Sequence, residues 1–114
     1  MRYPHLEAPL EALVLKYRDV PFAEWERRYR TRDGFNDYSS DGEPFWQAHT
    51  DVLEVDTHTD GRRYANVSIT IYPEGVHSVP PAPGAGFLCF EDGTCDVGTP
   101  WGEEYVYKQP GAKG

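Results

Sequence analysis

The sequence predicts an α+β fold, with two N-terminal helices packed on one face of a four- to five-stranded antiparallel sheet. Three observations carry this. Apolar residues recur at helical spacing within residues 1–32. Apolar and polar residues alternate through 51–59 and 62–72 on either side of Asp60-Gly61, a hairpin signal. A second hairpin signal, Glu91-Asp92-Gly93, lies between two further short strand-like runs.

The first helix is expected from Ala8–Pro9 to Asp19, with Leu6, Leu10, Leu13, Val14 and Tyr17 forming one stripe. Pro9 is compatible only with a first turn, which places the start. Asp19-Val20-Pro21 breaks the helix, because the residue before a proline avoids the helical region. Pro21 then opens a second helix. Glu24 and Glu26 complement its N-terminal end, and Arg27, Arg28, Arg30 and Arg32 its C-terminal end. Phe22, Trp25 and Tyr29 make the face to be buried, and Asp33-Gly34 stops the helix.

Residues 34–48 read as an ordered but irregular loop. Turn formers run throughout, yet Phe35, Tyr38, Phe45 and Trp46 make it too aromatic for a disordered linker. A long loop of this kind inside a compact domain commonly carries function. In the hairpin that follows, Leu53 and Val55 are expected on one face of the first strand. Ala65, Val67, Ile69 and Ile71 share one face of the second. Pro73-Glu74-Gly75 ends the hairpin, and residues 79–86 form a stiff, proline-rich crossing. Residues 86–90 and 94–97 make the second hairpin, and 104–108 add an edge strand. Residues 109–114 fray, so that 1–108 is a single domain.

At 114 residues the chain buries ~65% of its unfolded surface. Apolar residues are only 39% of the total, so the 14% that are aromatic supply much of the core. Charge is unevenly spread. Residues 1–32 hold seven Lys/Arg against five acids, and 33–114 hold four against fourteen, for a net −8. This points toward cationic partners and away from nucleic acid. Without a leader-like apolar region or a membrane-length run, the expectation is a soluble, cytoplasmic protein with no membrane partner. Cys89 and Cys95 face each other if Glu91-Asp92-Gly93 is a three-residue loop, and are diagonal if Asp92-Gly93 is a two-residue turn. Free thiols are expected in either case.

Candidate chemistry is sparse. Glu54, Asp56 and His58 alternate on one strand face, but such side chains lie ~6.6 Å apart and diverge with the twist. No metal and no cofactor is expected. His49-Thr50-Asp51 and His58-Thr59-Asp60 match no catalytic motif. Ser39-Ser40 lacks a nucleophile elbow, and Pro83-Gly84-Ala85-Gly86 lacks the Lys-Ser/Thr of a phosphate loop. The arginines near the end of the second helix alternate around it and are not expected to face one ligand.

The most promising cluster is loop-borne: Asp37, Tyr38, Asp41, Glu43, Phe45 and Trp46, with Trp101, Glu103 and Glu104 from a second loop. Aromatic anchors ringed by acids suit a basic protein surface. The competing role for Phe45 and Trp46 is to seal the edge of the core. The expected function is a small, acidic, non-catalytic binding protein that inhibits or neutralises a partner, of the toxin-immunity or phage counter-defence type. DNA mimicry needs longer rows of acids than these. The alternative is a small-molecule-binding domain or small enzyme, its pocket between helices and sheet lined by Tyr3, Trp25, Tyr64 and Tyr72.

Overall fold

The structure, a computed structural model, describes residues 4–73 and 84–97. A 3-10 turn (Pro4–Leu6) leads into α1 (Glu7–Tyr17), and a corner at Arg18 to Pro21 leads into α2 (Phe22–Thr31). Five strands follow: β1 (Phe35–Tyr38), β2 (Trp46–Thr57), β3 (Arg63–Pro73), β4 (Gly84–Phe90) and β5 (Cys95–Val97). They form one antiparallel sheet in sequence order, and the helices pack on one of its faces. The expected edge strand at 104–108 and the tail lie outside the described residues.

The core forms where the α1 stripe meets the inward residues of the sheet. Leu6, Leu10, Leu13, Val14 and Tyr17 pack with Trp25 of α2 against Trp46, Ala48, Ala65, Val67, Ile69, Ile71 and Phe87. Pro9 sits in the first turn of α1, where its missing N–H costs no helical bond. Trp25 is the residue of α2 that is fully buried. Tyr29, expected beside it, is 41% exposed, because it lies a full turn beyond Trp25, where α2 ends over the border of the sheet.

Two strand expectations are corrected. Residues 34–48 are not an irregular loop: β1 pairs with β2 from Phe35↔Thr50 to Tyr38↔Gln47, which leaves only a short hairpin loop. Alternation holds within β1, with Phe35 against Tyr17 and Trp25, and Tyr38 outward at 63% exposure. Leu53 does not share a face with Val55. The register slips between Val52 and Glu54, and Leu53 is the extra residue, 60% exposed. Without this bulge, strict alternation from Ala48, Thr50 and Val52 would turn Glu54 toward the helices. With it, Val55 faces inward opposite Ala65, and Glu54 faces outward opposite Asn66.

Both later hairpins close the same way. His58 N–H donates to Arg62 O (2.7 Å) and Phe90 N–H to Thr94 O (2.8 Å), each around three residues that end in a left-handed glycine, Gly61 or Gly93. Arg62 ties the two turns together. It donates to Asp60 (2.8 Å), Asp92 (3.2 Å) and Thr94 (3.0 Å), and its guanidinium lies 3.8 Å over the Phe90 ring. The three-residue loop also settles the cysteine geometry: Cys89 and Cys95 are directly opposite, and both are free thiols.

Candidate functional site

The sequence-predicted cluster divides along the β1–β2 hairpin. Tyr38 (63% exposed), Asp41, Glu43 and Phe45 (41%) come together at its exposed end. There Ser39 N–H donates to Trp46 O (3.0 Å), and Glu43 Oε1 accepts from Ser40 N–H (2.5 Å). Trp46 is not part of this surface. It is the first inward residue of β2, 8% exposed and within the core, so its indole seals the fold instead of meeting a partner. Asp37 also turns toward the helices, where it accepts hydrogen bonds from Tyr17 Oη and Lys16 Nζ. Burial, with Asp37 second, raises the Tyr17 phenol above its usual range. Trp101, Glu103 and Glu104 lie outside the described residues.

The hairpin end has one sign of charge in sequence. From residue 33 to residue 61 there are eight Asp/Glu and no Lys or Arg. Its two solvent-facing aromatics are therefore flanked in sequence by carboxylates, and Lys16 of α1 reaches the hairpin at Asp37.

The opposite end of β1, ~10 Å away at strand rise, has a different character. Here α2 ends over the border of β2 and leaves an open cleft of about 630 Å³ lined by Arg28, Tyr29, Arg30, Arg32, Gly34, His49, Asp51 and Val52. The helix ends in a double cap, with Asp33 N–H donating to Arg28 O (3.0 Å) and Arg32 N–H to Tyr29 O (3.4 Å). The left-handed residue that such an end requires is Arg32, at φ 56°. Gly34 meets a different demand: a Cβ there would lie 2.6 Å from Thr50 O and 2.9 Å from His49 Cε1. Glycine lets the chain settle against β2, and that contact sets the helix end beside His49 and Asp51.

Within this corner Arg28 is structural. It donates to Glu24 (2.9 Å) and Gly34 O (3.2 Å), and its guanidinium lies 3.6 Å over Phe35. His49 is fixed between Asn36 Oδ1 (2.9 Å) and Asp51 Oδ2 (2.8 Å). With both ring nitrogens engaged, its ring is held in place as part of the wall. Sequence reasoning missed Tyr29, Arg32, Gly34 and His49 as neighbours. The one usable signal was the two-residue spacing of His49 and Asp51, which puts both on the outer face of β2.

Glu54, Asp56 and His58 each take a separate partner among the described residues. Glu54 accepts from Tyr64 Oη (3.2 Å), Asp56 from the Thr57 N–H (2.7 Å), and His58 lies 3.1 Å from Asp60. The expected pocket is not formed. Trp25 is in the core under the helices, whereas Tyr64 and Tyr72 lie on the other face of the sheet, opposite Asp56 and Gln47, with Tyr64 buried against Leu88 and Phe90; Tyr3 lies outside the described residues. Compared with protein-family models, curated proteins and solved structures, the chain has no match.

Proposed function

We propose that the protein is a small, acidic, non-catalytic binder that engages the basic surface of a protein partner and so inhibits or neutralises it. The observation that carries this reading is the end of the β1–β2 hairpin, where Tyr38 and Phe45 are exposed in a segment free of Lys and Arg. Exposed aromatic rings lend contact area at little entropic cost, and surrounding carboxylates steer a cationic surface toward them. Asp41 and Glu43 supply that charge at the tip.

The test compares capture from host lysate by the wild type and by a Tyr38→Ala/Asp41→Asn/Glu43→Gln/Phe45→Ala variant, with retained proteins identified by mass spectrometry. A basic protein held by the wild type and lost by the folded variant supports the reading. Association with that protein slows as salt rises, over a Debye length of ~10 Å at 0.1 M. Equal retention by both proteins, or an association rate indifferent to salt, would refute it.

A further inference from the structure

We infer that the cleft between the end of α2 and β2 is a binding site for a small phosphate-bearing molecule, distinct from the hairpin end. Arg32 closes α2 in the left-handed region. A helix end of this type takes glycine by default, since an L-residue pays for left-handed φ, yet here it holds an arginine at φ 56°. Its guanidinium makes no hydrogen bond or ion pair among the described residues that would offset the cost. It lines the cleft instead.

The arginines favour the C-terminal end of the α2 dipole, but several carbonyls there are already taken by other donors: Arg27 O and Arg28 O accept from Thr31 Oγ1, Arg28 O also from Asp33 N–H, and Tyr29 O from Arg32 N–H. Arg28 covers Asp33 O and Gly34 O beyond them. Arg30 is only loosely held, 3.7 Å from Glu26, because Glu26 pairs more closely with Arg63 at 2.7 Å. Two guanidiniums are therefore available, Arg30 and Arg32, beside the exposed ring of Tyr29. The cleft's carboxylate, Asp51, is engaged by His49.

Two guanidinium forks match a dianionic oxyanion with parallel N–H donors. The volume exceeds what bare phosphate needs and falls within the range of small-molecule sites, so an organic body has room along Tyr29 and Val52.

The test is a ¹H–¹⁵N NMR titration of the full chain with inorganic phosphate, phenyl phosphate and malonate, each against sodium chloride of matched ionic strength. The expected result is saturable shifts of the Gly34 amide and the Arg30 and Arg32 Nε–H signals. Phenyl phosphate should bind more tightly than inorganic phosphate, and malonate more weakly than either. Arg32→Gly and Arg32→Ala should each weaken phenyl phosphate binding roughly tenfold or more. Arg32→Gly removes the backbone strain as well, so loss of binding in that variant cannot be ascribed to unfolding. Shifts reproduced by sodium chloride, malonate binding as tight as phenyl phosphate, or affinity unchanged in both variants would each overturn the inference.

Discussion

Arg32→Gly should stabilise this protein, and Arg32→Ala should not. Arg32 closes α2 in the left-handed region. An L-residue there pays roughly 1–2 kcal/mol, and glycine returns ~0.5–1 kcal/mol through its larger unfolded-state entropy. The net gain is about 0.5–1 kcal/mol, a rise in Tm of roughly 2–5 °C for a domain of this size. Alanine keeps the strained φ and removes only the guanidinium, which has no partner among the described residues, so its effect stays within ~0.5 kcal/mol. Urea denaturation with matched m-values, supported by calorimetry, measures both. An equal gain from alanine would mean that relief of charge, not of backbone strain, was the source. A loss of stability in Arg32→Gly would show that the arginine side chain holds the corner together.

The remaining predictions test the core and the thiols. Trp46→Ala should cost roughly 3–5 kcal/mol in urea denaturation, whereas Tyr38→Ala and Phe45→Ala each stay within ~0.5 kcal/mol, because only the first empties core volume. Thr50 is fully buried and its hydroxyl has no hydrogen-bond partner among the described residues, so Thr50→Val should raise stability by about 1 kcal/mol in the same assay. Burial, with the neighbouring Cys95 second, raises the Cys89 thiol to about 12. The fold therefore favours the neutral thiol. The stability this group contributes is intact below the unfolded-state value of ~8.5 and is lost as pH rises from there toward about 12. Cys89→Ala should flatten the alkaline limb of a stability–pH curve, and an unchanged limb would refute the assignment.

How legible each element was depended on whether its signal was local. The stripe of α1, the break at Pro21 and the glycine turns at Gly61 and Gly93 are written in short stretches, and the structure follows them. β1 was not legible. It has four residues, two of which are Asn and Asp, and one of these, Asp37, faces the helices. An inward carboxylate makes sense only with Tyr17 and Lys16 beside it, about twenty positions earlier in the chain. The bulge at Leu53 is partly legible in hindsight, since the inward set moves from even positions ending at Val52 to Val55, and a strand can change parity only by inserting a residue.

The candidate site divided for the same reason. Composition shows that Tyr38, Phe45 and Trp46 are aromatic and close in sequence, but only register shows which of them meet water. Ser39 pairs with Trp46, and Trp46 lies opposite Pro73, which points the indole inward. Tyr38 lies opposite Gln47 and faces outward with it. The cleft was less legible still. An αR run through residue 32 would keep the arginines alternating around α2, as their spacing suggests. The left-handed turn at Arg32 swings the chain back toward β2, and Gly34 lets it approach closely enough for Arg28, Arg30 and Arg32 to border one cavity. A pattern count cannot register a single reversed φ, yet here that angle decides whether the arginines form a solvated fringe or a site.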